Sequence, residues 1–328
     1  MDTQPRRSLV SMLAVLLLCV GAFAAHAPLA NAAAIEEVTG FGSNPGTLRM
    51  FRYTPDGLPS GRPVVVALHG CSQDAVGYGT KSGWTAMADR ERFTLVLPHT
   101  DTGNNLLKCF NWFEPGDTGR DRGEAASIIQ MTRRAVADAG ADASRVFVTG
   151  LSAGGAMTAV MLATSPDEYR GGAIVAGLPY GCAANSLEAT SCMLGSKNLT
   201  PAQWADRVRT ATDHNGPWPT VSVYHGSLDF TVSTTNQREL VEQWTAVHGT
   251  DTTSDGSDTV FGYPHNVFRD GSGNPVVETY TITGMAHGQP VNPGSGDGHC
   301  GTADTFGFYL STNLCAAWQI ATDWSLGS

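Results

Sequence analysis

The sequence predicts an α/β fold, with a mainly parallel central sheet flanked by helices, from three observations. Short apolar runs alternate with stretches of helical periodicity along most of the chain. One run, Val64-Val65-Val66-Ala67-Leu68, is apolar on both faces, as a strand covered by helices on each side must be. Third, Gly150-Leu151-Ser152-Ala153-Gly154 stands between an apolar run and an apolar helical stretch, the setting of a tight strand–turn–helix passage.

From the N-terminus, Arg6 and Arg7 precede an apolar run from Leu9 to Ala25, and Ala30-Asn31-Ala32 offers a small-residue cleavage site. Together they read as an export signal over residues 1–32. The rival reading is a membrane anchor, but the strongest apolar core, Met12 to Ala25, falls short of the ~20 residues a spanning helix needs. Residues 33–328 are then a single catalytic domain, with no linker, internal repeat or appended binding module expected.

Within it the expected strands are Leu48–Tyr53, Val64–Leu68, Thr94–Leu97, Arg145–Thr149, Ala173–Ala176, Val221–Tyr224 and Val276–Thr283. Helices are expected from Ser82, read as an N-cap, through Trp84, Met87 and Ala88, and from Gly123 to Ala139 with Gly140 as the stop. Two more are expected, one following Ser152 through Leu162 and one over Cys315 to Trp324. Gly249 to Asp258 and Asn292 to Asp304 read as surface loops.

Without the signal, 18 basic face 29 acidic side chains, a net charge of −11, and no basic cluster occurs. That argues against nucleic acid and anionic polymers as partners and leaves a neutral substrate. Six cysteines remain after Cys19 departs, an even number that suits disulfides in an exported chain. They allow ~15 connectivities. The favoured pairs are Cys182–Cys192 and Cys300–Cys315, which close short local loops, and Cys71–Cys109, which joins loops after two strands expected to be neighbours. No Cys-x-x-Cys supports a structural metal site.

The chemistry centres on Ser152. Gly-x-Ser-x-Gly recurs by chance, and its bland reading is a glycine-rich turn; after a strand and before a helix it becomes a nucleophile elbow. A serine nucleophile needs a base, and the base a carboxylate to orient it. Asp229 follows the Val221–Tyr224 run and His287 follows the Val276–Thr283 run, giving the order Ser, acid, His on loops at the carboxyl ends of strands. Taken singly, each reads as well as a loop-capping Asp or a surface His; order and context favour catalysis. His265 and His299 lack a preceding strand-like run, His225 is read as shaping the acid loop, and Asp206 and Asp213 as solvated. The backbone N–H groups of Cys71 and Ala153 are the expected oxyanion donors. Trp112, in an aromatic cluster, is a candidate cleft residue with core packing as the equal alternative. Gly296-x-Gly298-x-x-Gly301 matches a dinucleotide fingerprint but follows no strand and opens no helix. The acidic loop Asp251 to Asp258 reads as solvated in preference to cation-binding.

His69-Gly70-Cys71-Ser72-Gln73, Ser82-Gly83-Trp84, Asn111-Trp112-Phe113, Gly150 through Gly155, Gly177 through Cys182, and Gly284 through His287 together resemble the esterase, polyhydroxybutyrate depolymerase family. The resemblance implies an α/β-hydrolase fold and a secreted carboxylic-ester hydrolase using Ser152, Asp229 and His287. The serine mechanism needs no cofactor, and no metal is expected. The family neighbourhood includes feruloyl and acetylxylan esterases, so the expectation is hydrolysis of poly(3-hydroxybutyrate) or its oligomers, with plant-wall esters as the alternative. A non-catalytic binding protein on the same scaffold is the reading from a different class. Export to the medium is expected, with the periplasm as the other destination, no stable membrane anchor, and no signal for oligomeric state.

Overall fold

A ten-stranded sheet forms the spine of the computed structural model, which describes residues 1–2, 33–305 and 307–328. The expected export signal, residues 3–32 of it, lies outside the described residues. In chain order the strands are β1 (Glu36–Val38), β2 (Arg49–Tyr53), β3 (Val64–Leu68), β4 (Thr94–His99), β5 (Val146–Leu151) and β6 (Gly171–Val175). They continue with β7 (Thr220–Gly226), β8 (Gly256–Val260), β9 (Tyr263–Arg269) and β10 (Pro275–Ile282). Their spatial order is β1-β2-β4-β3-β5-β6-β7-β10-β9-β8. From β4 to β10 the pairing is parallel, and the antiparallel β1–β2 pair and β9–β8 pair extend the two sides. β11 (Gln289–Val291) and β12 (Tyr309–Ser311) form a separate parallel pair.

Helices cover both faces. α1 (Ala75–Lys81), α2 (Trp84–Glu91) and α8 (Ala316–Asp323) pack on one, joining Val65, Ala67, Phe147 and Tyr280 in a single apolar cluster. α3 (Gly123–Ala139), α4 (Ala153–Thr164), α5 (Ser186–Met193), α6 (Pro201–Arg209) and α7 (Thr235–His248) pack on the other, against Val64, Val66, Leu68 and Val148. Alternate residues of β3 thus enter different cores, which is why its sequence is apolar without interruption. Residues 33–328 make one compact unit. Among the described residues, no helix is long and apolar enough to cross a membrane.

Three expectations need correction. Ser82 does not open a helix: it closes α1, its hydroxyl donating to the Tyr78 carbonyl at 2.5 Å, and Gly83, in the left-handed region, leads into α2. The glycine there meets Cys300 so closely that no side chain fits. Gly249 to Asp258 is not all loop, since β8 begins at Gly256, and His265 sits inside β9. β8 (Gly-Ser-Asp-Thr-Val) is nearly devoid of apolar residues because it is an exposed edge strand, so periodicity gives no signal.

Candidate active site

β5 delivers Ser152 to the carboxyl end of the sheet. The backbone there must turn from strand to helix in one residue, and Ser152 takes φ 59°, ψ −117°, a strained conformation for a side chain with a Cβ. Glycines make the turn possible. A Cβ on Gly154 would collide with the Leu68 carbonyl, and one on Gly150 would collide with the Gly154 backbone. The Ser152 N–H donates to the Val175 carbonyl at 2.9 Å, which ties the turn to β6.

Asp229 stands on the turn after β7 and is 4% exposed. One carboxylate oxygen, Oδ1, accepts from the N–H groups of Thr231 and Val232 at 2.9 and 2.8 Å; the other, Oδ2, lies 2.7 Å from His287 Nδ1. Burial opposes its ionisation, but hydrogen bonds from His225 and His287 outweigh that and hold the carboxyl well below the ordinary range. His225, fully buried, donates from Nε2 to the Val232 carbonyl at 2.9 Å and lies 3.4 Å from Asp229 Oδ2. It braces the acid loop.

His287 follows β10, and its Nε2 lies 2.9 Å from Ser152 Oγ. Because an ionised carboxylate only accepts, His287 Nδ1 carries the proton towards Asp229, and Nε2 is free to accept from the serine hydroxyl. Ser152, His287 and Asp229 therefore form one continuous hydrogen-bonded chain.

The turn after β3 faces them. Gly70 N–H donates to Gln73 Oε1 at 2.7 Å, Ser72 N–H to the Leu107 carbonyl at 2.7 Å, and Gln73 N–H to the Gly70 carbonyl at 3.3 Å. Buried His69 sets the direction of the remaining N–H. Thr100 N–H donates to His69 Nε2 at 3.3 Å, so His69 carries its proton on Nδ1 and donates to the Gly70 carbonyl at 2.8 Å. A trans peptide points its N–H opposite its carbonyl, which turns the Cys71 N–H away from His69. Cys71 and Ser152 line the same cleft. Burial pushes the His69 imidazole down to about 4, keeping it neutral. Ala153 opens α4, where the helix dipole also favours negative charge.

The cleft encloses about 370 Å³. Leu107, Trp112, Phe113, Leu151, Met193 and Phe308 give it an apolar lining, with Gln73, Asn105 and Thr231 as polar points. Trp112 thus occupies the wall, 6% exposed. A larger hollow of about 1310 Å³ lies at the opposite ends of the strands, beside Arg170, Thr220 and Pro275, and contains no member of the Ser152 chain. The six cysteines form Cys71–Cys109, Cys182–Cys192 and Cys300–Cys315, the pairs favoured above. The first joins the Cys71 turn to the Trp112 wall.

Other candidates fall elsewhere. His265, on β9, is held between Asp258 of β8, at 2.7 Å, and Glu278 of β10, at 3.4 Å. His299 lies 3.3 Å from the Pro293 carbonyl in a loop. Asp251 and Asp255 accept from the Thr253 and Arg269 N–H groups. Sequence reasoning passed over Glu124, which is fully buried and accepts from Asn111 N–H at 2.7 Å and Asn104 Nδ2 at 2.8 Å. It anchors the wall segment. An acidic residue in the first turn of a helix is ordinary, so nothing marked it out. Gln73 and Phe308 were also missed; they lie on loops, where periodicity carries no information.

The family profile described as Esterase PHB depolymerase matches residues 49–258. The chain belongs to the esterase PHB depolymerase family. It is a carboxylic-ester hydrolase with the α/β-hydrolase fold. Among curated proteins it is 51% identical to poly(3-hydroxyalkanoate) depolymerase C of Paucimonas lemoignei, over 88% of this chain and 69% of that one. It is 31% identical to feruloyl esterase B of Talaromyces stipitatus, over 81% and 75% of the two chains. Against acetylxylan esterase of Coprinopsis cinerea the identity is 33%, over 80% and 71%. Among solved structures, the acetyl xylan esterase from Aspergillus awamori superposes with a TM-score of 0.71 at 27% identity, covering 77% of this chain and 94% of that one.

Proposed function

We propose that residues 33–328 are the catalytic domain of an exported depolymerase acting on poly(3-hydroxyalkanoate) esters or their oligomers, with residues 1–32 as the export signal. The 51% identity to a poly(3-hydroxyalkanoate) depolymerase, against 31% and 33% for the feruloyl and acetylxylan esterases, carries this reading. A mainly apolar cleft suits a neutral aliphatic ester. Three disulfides suit an oxidising destination outside the cytoplasm.

In this reading Ser152 Oγ attacks the ester carbonyl while His287 Nε2 takes its proton. Asp229 holds the imidazole in the required tautomer and stabilises the imidazolium. The N–H groups of Cys71 and Ala153 receive the oxyanion. The tetrahedral intermediate collapses, His287 returns the proton to the departing alcohol, and the acyl group stays on Ser152. Water, deprotonated by His287, then releases the acid and regenerates the serine. The scheme uses no cofactor, metal, nucleic acid or membrane anchor.

The test is acid release from amorphous poly(3-hydroxybutyrate) and from feruloylated arabinoxylan, side by side, with Ser152→Ala as control. Hydroxybutyrate release that disappears in the variant supports the proposal. Release of ferulate or acetate alone moves the chain to the plant-wall esterases, the reading favoured by the Aspergillus awamori likeness. Full activity in Ser152→Ala would sink the mechanism.

A further inference from the structure

Exposed large apolar side chains are ordinary when scattered and informative when they gather. Beyond Met1, nine stand exposed among the described residues, and seven of them rise from the segments that frame the cleft. Leu106, at 87% exposure, adjoins the cleft residue Leu107; Leu187, at 80%, follows Ser186; Leu194, at 63%, follows Met193; and Phe230, at 87%, precedes Thr231. Phe308, at 41%, lines the cleft itself. Each of these either lines the cleft or stands next in sequence to a residue that does. The pattern is a rim.

Charge separates this rim from the rest of a chain whose formal net charge is −10. No charged residue lies between Asp101 and Lys108, none between Gly307 and Thr312, and the acid loop carries only buried Asp229. On α5 the one acidic residue, Glu188, is 3.6 Å from Lys197. An anionic membrane would find no basic cluster here to attract it. A polysaccharide would present hydroxyl groups to leucine tips that offer them no hydrogen bond. An uncharged solid with an apolar surface meets neither penalty.

We propose that this rim is the surface by which the protein lies on a water-insoluble aliphatic polyester, seating the cleft mouth against the solid. The proposal rests on the polyester reading above and extends it from the cut bond to the way the polymer is met. Leu106, Leu187 and Phe230 come from three separate segments, each of which contributes a lining residue to the cleft, so contact at all three holds the cleft against the surface.

The test separates adsorption from chemistry. The combined variant Leu106→Ser, Leu187→Ser, Phe230→Ser is prepared twice, with Ser152 intact and with Ser152→Ala. The Ser152→Ala forms are mixed with amorphous poly(3-hydroxybutyrate) particles and depletion from solution is measured; the intact forms are assayed on a soluble 3-hydroxybutyrate trimer. The expected result is adsorption weakened tenfold or more, with trimer turnover within twofold and an unchanged melting temperature. Phe230→Trp alone should keep full adsorption. Undiminished adsorption of the triple variant overturns the proposal, as does trimer turnover falling in step with adsorption. Stronger adsorption of the parent to insoluble arabinoxylan or to phosphatidylglycerol vesicles than to the polyester overturns the choice of partner. A parent that cuts the trimer but does not adsorb defeats the rim alone; one that adsorbs without cutting the trimer defeats the polyester hydrolysis alone.

Discussion

Gly154 presses against the end of β3 so closely that even a methyl group on its α-carbon would overlap the carbonyl oxygen of Leu68. That contact sets the spacing between the helix behind Ser152 and the turn that carries Cys71. Gly154→Ala must push the two apart. The expected outcome is a loss of about 1–3 kcal/mol or more, the usual cost of overpacking. It should bring a fall in kcat on every ester, read from thermal melts and from steady-state kinetics on a short ester.

Asp229→Asn keeps an oxygen for the Thr231 and Val232 N–H groups, so the loop should hold its shape. The amide has to face His287 with an N–H, which forces the imidazole to turn its own proton towards Ser152. A fall in kcat on the order of 10⁴, with KM little changed, is the expected result. A kcat within tenfold of the parent would remove Asp229 from the mechanism.

Much of this arrangement was legible. The run Val64–Leu68 matched β3 residue for residue because a strand buried on both faces is apolar throughout. Gly140, with φ 54°, ended α3 where the glycine rule puts it. Ser152, Asp229 and His287 could be picked out because each follows a strand, and strands in sequence announce their ends. What was not legible depends on distance across the fold. β1, β8 and β9 lie at the sides of the sheet with exposed residues, where alternation is weak. α5 carries two buried residues, Ala189 and Cys192, too few to make a stripe. His69 gave no hint that its ring would choose the direction of the Cys71 N–H, since that follows from a partner, Thr100, just past the end of the neighbouring strand β4.

Glu124 should impress a pH dependence on stability. Burial pushes its carboxyl up to about 8, with Asp117 adding to the effect and the bonds from Asn111 and Asn104 opposing it. In the unfolded chain it ionises near 4.5. Between those values the folded protein holds one more proton than the unfolded one, so this group's contribution falls as pH rises through the window and levels off above it. Glu124→Gln does not titrate. Its melting temperature, compared with the parent's from about pH 5 to about pH 8, should lack that part of the decline; parallel curves would mean Glu124 ionises normally.

The Cys71–Cys109 bond joins the turn after β3 to the cleft wall across 38 residues. Replacing both cysteines by serine should cost about 2–4 kcal/mol, the usual range for a disulfide closing a loop of this size. The backbone N–H of residue 71 survives the substitution but loses its tether. Denaturant melts should show the stability change, and kcat on soluble esters should fall more than KM rises.

The segment from Asp101 to Asp117 is fastened by the Asn104 and Asn111 bonds to Glu124, the Asp117 bonds to the Glu124 and Ala125 N–H groups, the Asn104 bond to the Gly46 carbonyl, the Ser72 N–H on the Leu107 carbonyl, one disulfide, and the buried rings of Phe110 and Trp112. None of these passes through Ser152, Asp229 or His287. A piece fastened in that manner can be exchanged by mutation and selection without retuning those three side chains, provided the replacement keeps the same fixings. The cleft wall can therefore vary while the hydrogen-bonded chain of Ser152, His287 and Asp229 stays intact, and an engineer seeking a different ester would graft there first.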